Sequence, residues 1–363
     1  DNASALAESV RNAGVVIQGY EKIRAPRKTF FRALQDHGHN HDFARYGGPV
    51  SGILPNEVKS KVDAKVKSLG LFADGMSTQS LLWLSSAGSY SSAHYDNFHT
   101  TFVMLAGEKE FLLSPPRDVA DFHPYPGAHP MARQARHHFL DVCLAVRRGY
   151  GNVLDMREEV KIPRLASVCA ATLKSDEALR LPAGWLHHVT AHSTSIAFAF
   201  TSLPREFHDF NKWITQPEEV LPFLKADSIE WTTGKIAAAL LVFVPKLLAE
   251  LGFNAGSANA LDIVFNRSYS PATLAELGVK RDVSRQVPSC KSFPTASLDI
   301  VHSAVIRVAA KFKVMTQDLR LMYLLPYLET IFSKVAGPEM DPAVIMTIAA
   351  RFVQKCLGSQ QRG

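Results

Sequence analysis

Cysteine is scarce in this chain. Cys143, Cys169, Cys290 and Cys356 stand far apart and form no C-x-x-C pair. That spacing excludes a zinc knuckle and a disulfide framework. Long hydrophobic runs are missing too. The most apolar stretch, Ile236 to Leu248, is short and carries Pro245 and Lys246, so no segment reads as a transmembrane helix and no membrane partner is expected. There is no internal repeat. Nor is charge of one sign concentrated: the formal net charge is +6 over 363 residues, with Lys and Arg dispersed. The densest basic group is Arg133, Arg136, His137, His138, Arg147 and Arg148. Dispersal favours weak affinity for acidic partners over a nucleic-acid interface. The sequence starts at Asp1 rather than Met. A removed targeting segment therefore stays open, and a cytoplasmic or nuclear location is favoured.

What is present suffices for two domains and a sizeable core. Residues 1–75 read as a mainly helical flank, with a break at Gly47-Gly48-Pro49. Residues 76–205 read as a strand-rich core. Within it, 117–175 form a long excursion rich in Arg, His and Pro, of the kind that shapes a substrate entrance. Residues 206–363 turn helical. Ser270-Pro271 opens a short helix ending near Gly278, and Leu298 to Val314 forms another. Thr316 to Val335 is expected to kink at Pro326, and Asp341-Pro342 opens the last.

The chemistry concentrates at His94-Tyr95-Asp96. Side chains at i and i+2 of a strand share a face, so His94 and Asp96 are placed to meet one metal while Tyr95 points away. The flanking residues Leu81-Leu82-Trp83-Leu84 and Phe102-Val103-Met104-Leu105 favour strands. A third ligand must come from another strand. Leu181-Pro182-Ala183-Gly184 reads as a turn and Trp185 to Val189 as the strand leaving it, which offers His187. Two histidines and one carboxylate hold one face of an iron(II) ion and leave the other open for a co-substrate and O2. Any one of these residues alone reads as an ordinary surface or core group. The three together, on two strands at domain-scale separation, read as a metal site.

Phe102 to Leu105 and Phe111 to Leu113 are two apolar strands joined by a tight turn at Ala106-Gly107-Glu108. Lys109 opens the second. Taken alone it reads as a solvated edge lysine beside Glu108 and Glu110. Turned inward, it would require an anion to pair with it.

With these residues in view, the chain resembles the JmjC family of iron(II)- and 2-oxoglutarate-dependent oxygenases. Within that family it is most similar to the cupin-type hydroxylases related to the asparaginyl hydroxylase of hypoxia-inducible factor. Four stretches carry the resemblance: Ala93 to Asp96; Gly107 to Phe111, followed by Ser114-Pro115-Pro116; Tyr125 to Gln134; and Trp185 to Val189. Together they lie within residues 30–205. The resemblance implies a double-stranded β-helix (a jelly-roll, or cupin, core) flanked by helices, with a C-terminal helical region. It implies that His94, Asp96 and His187 ligate Fe(II), with His188 pointing the other way. It implies that Lys109 pairs with the distal carboxylate of the co-substrate 2-oxoglutarate, that Ser91 supplies a hydroxyl to the same group, and that Tyr46 is donated from an earlier strand. Where the family often has an asparagine on the strand after the H-x-D, this chain has Thr100. Glu177 to Arg180 replaces the usual Gly-Asp, and Trp185-Leu186-His187 replaces Trp-Trp-His.

The implied activity is hydroxylation of a protein or peptide substrate, using O2 and 2-oxoglutarate. N-methyl-lysine demethylation and RNA hydroxylation remain open on the same core. So does a catalytically silent cupin scaffold working through its helical C-terminal region, although such a scaffold has no need of the triad together with Lys109. The C-terminal helices are expected to serve homodimerisation or capping of the core rather than substrate recruitment. The remaining histidines, His37, His39 and His41 among them, read as solvated loop or surface groups.

Overall fold

The computed structural model describes residues 45–49, 78–122, most of 124–136, 168–203, most of 216–221, 233–252, 271–276 and 295–336, with a few residues between 55 and 64. The last expected helix, opened by Asp341-Pro342, and most of the expected N-terminal helical flank lie outside the described residues.

Among the described residues, nine strands pair antiparallel in two sheets. They are β1 (Arg45–Pro49), β2 (Thr78–Ser85), β3 (Tyr90–His94), β4 (His99–Ala106), β5 (Glu108–Ser114), β6 (Cys169–Lys174), β7 (Ala178–Leu181), β8 (Leu186–Ala191) and β9 (Ser195–Ser202). One sheet runs β1-β2-β9-β4-β7 and the other β3-β8-β5-β6. This is the jelly-roll core expected from the sequence. The Gly47-Gly48-Pro49 break proves to be part of an edge strand, with Gly47 opposite Trp83 and Pro49 opposite Leu81. Proline is tolerated there because an edge strand leaves one side of its backbone unpaired. The excursion is also shorter than expected. Cys169 to Lys174 belongs to a core strand paired with β5.

Period-two alternation sorts each strand into an inner and an outer face. Met104, Leu181 and Ala197 from the first sheet meet Phe111, Leu113, Leu173 and Val189 from the second, with Trp83, Phe102 and Trp185 packed against them. The space between the sheets is therefore apolar along most of its length. On the outer face of the first sheet, Leu82, Phe198 and Phe200 form a second cluster with Leu84 and Val103.

The chain divides into two compact units, one of them this β core. The other holds the segment His123–Arg133 and the C-terminal helices. Its described helices are α1 (Thr233–Glu250), α2 (Pro271–Glu276), α3 (Thr295–Phe312) and α4 (Gln317–Ala336). On α3 the buried residues Val301, Ala304, Val305, Val308, Ala309 and Phe312 recur at helical spacing, the signature of one apolar stripe facing a core. Helix α4 runs through Pro326 as a single element. The Thr330 hydroxyl donates to the Pro326 carbonyl at 2.9 Å. Tyr327 is fully buried, and burial pushes its phenol up, so it stays neutral. The segment His123–Arg133 is tied to this unit by a buried carboxylate: the Gly127 amide donates to both oxygens of Glu329 at 2.9 Å. Among the described residues, no helix is long and apolar enough to cross a membrane.

Candidate metal centre

β3 and β8 are neighbours, with His94 directly opposite His187. Their ring centroids lie 4.3 Å apart, tilted by 52°. The His187 Nε2 is 3.8 Å from Asp96 Oδ2. One ligand atom from each of His94, Asp96 and His187 lies within 4.8 Å of the others. The other ring nitrogens are already engaged. His94 Nδ1 is 2.7 Å from the Ser92 carbonyl, and His187 Nδ1 is 3.0 Å from the Trp185 carbonyl. A carbonyl only accepts, so each Nδ1 carries the proton. That leaves each Nε2 with a lone pair for a metal, the tautomer that backbone partners commonly fix in metal-ligating histidines. The donor set and its tautomers therefore fit a divalent ion of the iron type.

Asp96 reaches this position differently from the sequence expectation. β3 ends at His94, and Asp96 lies just beyond it. The backbone around the motif pairs with other segments. The Ala135 amide donates to the Ala93 carbonyl at 2.7 Å, and His94 makes an isolated antiparallel bridge with Gln134. The Asp96 carbonyl accepts from the Gly184 amide at 2.8 Å. Gly184 has φ of 82°, a left-handed conformation that glycine adopts without strain. Tyr95 is buried, at 5% exposure.

β3 also contains a register shift. Ser91 stands opposite Val189, but His94 stands opposite His187. Three residues on one strand thus span two on the other, as in a β-bulge. Regular alternation would send Ser91 and His94 to opposite faces. The bulge puts both opposite inner-face positions. On β8, His188 takes the other face and stacks on Tyr90 at 5.6 Å.

Lys109 is buried, at 6% exposure. It shares the inner face of β5 with Phe111 and Leu113, and its ammonium donates to Ser85 Oγ at 3.0 Å. The reading of an edge lysine in solvent is therefore overturned: strand alternation turns it inward. Ser85 pairs across the sheet with Ser195. The hydroxyl of Ser195 is buried with no hydrogen-bond partner among the described residues, and so is that of Thr100. Thr100 lies two residues before Phe102 on the same face of β4. Phe102 packs edge-on to the His187 ring, with centroids 6.4 Å apart. Buried hydroxyls without partners are uncommon and costly, and here they sit in an otherwise apolar interior with an inward ammonium. A bound, oxygen-rich anion such as 2-oxoglutarate fits that arrangement. Tyr46 is placed on β1 opposite Leu84, and its side chain lies outside the described residues.

The sequence reading did not single out Ser85, Ser195 or His99. Ser85 was within reach, because it alternates with Trp83 on the inward face of β2. His99 and Ser195 carried no local signal.

The profile of the cupin-like domain family matches residues 8–201. JMJD7 of Homo sapiens, a bifunctional peptidase and (3S)-lysyl hydroxylase, is 27% identical over 165 residues, covering 41% of this chain and 47% of the relative. The lysine-specific demethylase JMJ31 of Arabidopsis thaliana is 28% identical over 154 residues, covering 41% and 26%. The lysine-specific demethylase JMJ32 of the same plant is 31% identical over 123 residues, covering 30% and 36%. The chain thus spans less than half the length of each of these relatives. The family match takes in more than half of the 363 residues, so the chain belongs to the cupin-like domain family, with a core of the JmjC type.

Proposed function

We propose that this chain is an Fe(II)- and 2-oxoglutarate-dependent oxygenase that hydroxylates a protein or peptide. The observation that carries this reading is the convergence of His94, Asp96 and His187 within 4.8 Å, with both Nδ1 atoms tied to backbone carbonyls. These three residues would hold iron. With 2-oxoglutarate and O2, iron held there would supply oxidative decarboxylation to succinate and CO2, one oxygen atom of O2 entering succinate and the other a substrate C–H bond.

The chain's own residues do the rest. Lys109 presents a buried positive charge to the distal carboxylate, and Ser91 and Thr100 offer hydroxyls from strands on either side. Phe102, Leu113 and Trp185 keep the surroundings apolar. Low polarity strengthens each charge-assisted contact and limits access of bulk water. With only these three protein ligands, a bound ion would keep room for co-substrate and O2.

The names of the relatives favour a lysyl side chain as the target and keep a second reaction in view. JMJD7 is named a lysyl hydroxylase, and JMJ31 and JMJ32 are named demethylases. Hydroxylation leaves the product heavier by one oxygen atom, whereas demethylation removes a methyl group as formaldehyde. Mass spectrometry of lysine and N-methyl-lysine peptides separates the two.

The deciding experiment is an anaerobic titration of apo-protein with Fe(II) and 2-oxoglutarate, following the visible charge-transfer band of the chelate. The band is expected in wild type and absent in His94→Ala. No band in well-folded wild type would overturn the reading.

A further inference from the structure

We propose that His99 is a positioning residue for the metal centre; the inference rests on the reading of His94, Asp96 and His187 as ligands. The turn that delivers His187 runs from Pro182 to Trp185, closed by the Trp185 amide donating to the Pro182 carbonyl at 3.3 Å. A turn of this kind leaves its two central amides pointing outward, with no partner inside the turn. Here both are taken by one short stretch of chain. The Gly184 amide donates to the Asp96 carbonyl at 2.8 Å, and the Ala183 amide donates to His99 Nδ1 at 2.9 Å. Ala183 is 3% exposed, so solvent does not replace that bond.

The consequence is geometric. Asp96 and His187 come from segments about ninety residues apart, and their carboxylate and imidazole must meet at one ion. The two amide bonds clamp the His187 turn to both ends of the segment 96–99. One bond involves the backbone of Asp96 itself, and no side-chain substitution removes it. The other depends wholly on the His99 side chain. It requires an acceptor at the Nδ1 position, so His99 holds its proton on Nε2. His99 does not take part in the triad. It sets where the turn sits, and through the turn the distance between Asp96 and His187.

An acceptor at the Nδ1 position is what counts, and that makes the role separable from bulk or fold. Asparagine places its amide oxygen close to where Nδ1 stands. Glutamine places it further out, nearer Nε2. Alanine offers none. Outer partners of this kind typically change metal affinity by about 10- to 100-fold.

The test is Fe(II) or Co(II) titration of wild type, His99→Ala, His99→Asn and His99→Gln, with hydrogen exchange read on the peptide covering 182–186. Metal affinity should fall by about 10- to 100-fold in His99→Ala and His99→Gln and recover in His99→Asn. Exchange of the turn amides should rise in the first two variants, with protection elsewhere in the β core unchanged. If His99→Ala folds and binds metal as tightly as wild type, the positioning role is overturned. If His99→Ala does not fold, the comparison of Asn with Gln decides: equal affinity in these two overturns the role. If wild type binds no metal, the ligand reading fails, and the role of His99 fails with it.

Discussion

Lys109 gives the most discriminating prediction, because its two effects have opposite signs. Its ammonium is buried between the sheets at 6% exposure and donates to Ser85 Oγ. Burying a charge costs several kcal/mol of hydration, and the hydrogen bond to Ser85 offsets part of that. In the apo-protein, Lys109→Met should therefore be neutral or stabilising, by up to about 2 kcal/mol, since Met keeps the chain length and removes the charge. For a unit of this size, about 2 kcal/mol is worth roughly 4–8 °C in Tm. With 2-oxoglutarate the sign reverses. A hydrogen bond to a charged group contributes about 1.5–3 kcal/mol, so binding should weaken by roughly 10- to 150-fold. Iron affinity without 2-oxoglutarate should stay near wild type, because Lys109 is not in the triad. The assay pairs apo thermal denaturation with 2-oxoglutarate titration of the chelate band. A variant that loses apo stability while binding 2-oxoglutarate normally would refute the reasoning, and would recast Lys109 as a structural tie to Ser85.

Three further outcomes follow from the same logic. Thr100→Val removes a buried hydroxyl that has no partner among the described residues; chemical denaturation should show apo stability kept or raised by about 1 kcal/mol, with weaker 2-oxoglutarate binding. In the helical unit, a Cβ on Gly127 would run into the Glu329 carboxylate, so Gly127→Ala and Glu329→Ala should each cost about 1–3 kcal/mol in denaturation, and less than the sum when combined. Glu250 is held below the usual carboxylate range by its hydrogen bond to, and charge attraction from, Lys313 at 2.5 Å. A lowered folded value means the pair stabilises above the unfolded value and the benefit is lost as pH falls through the folded one. Wild type should therefore exceed Glu250→Gln slightly at neutral pH. That small advantage should disappear in acid and shrink with salt, because both groups are exposed.

The outline of the core was legible because alternation is a strong signal. Met104, Phe111, Leu113 and Val189 repeat at the strand period, and both sheets bury them. The same alternation turns Lys109 inward, against the reading its charged neighbours suggested. Gly47-Gly48-Pro49 misled for the opposite reason. Glycine and proline usually punctuate, and only the pairing with β2 makes them a strand. Tertiary pairing overrode local propensity there.

The candidate metal triad is legible as residue types and spacing, but strand alternation accounts for its convergence only in part. Strand alternation alone was to bring His94 and Asp96 together, yet the strand ends at His94. Asp96 is placed by the Gly184 amide, from a turn far away in sequence. Ser91 shows the same limit. Counting by twos from His94 puts it on the wrong face, and the register shift in β3 returns it to the inner one. A bulge needs two strands to exist, so no window on one strand contains it. His99 is the extreme case. Its role lies in one hydrogen bond to Ala183, a residue 84 positions away, and nothing in the neighbourhood of either residue announces the other. Candidate ligands are marked by local chemistry that can be read from the chain, whereas their positions depend on long-range backbone bonds. His99→Ala, which keeps all three candidate ligands, should therefore retain the motif yet hold Fe(II) or Co(II) about 10- to 100-fold more weakly in a metal titration.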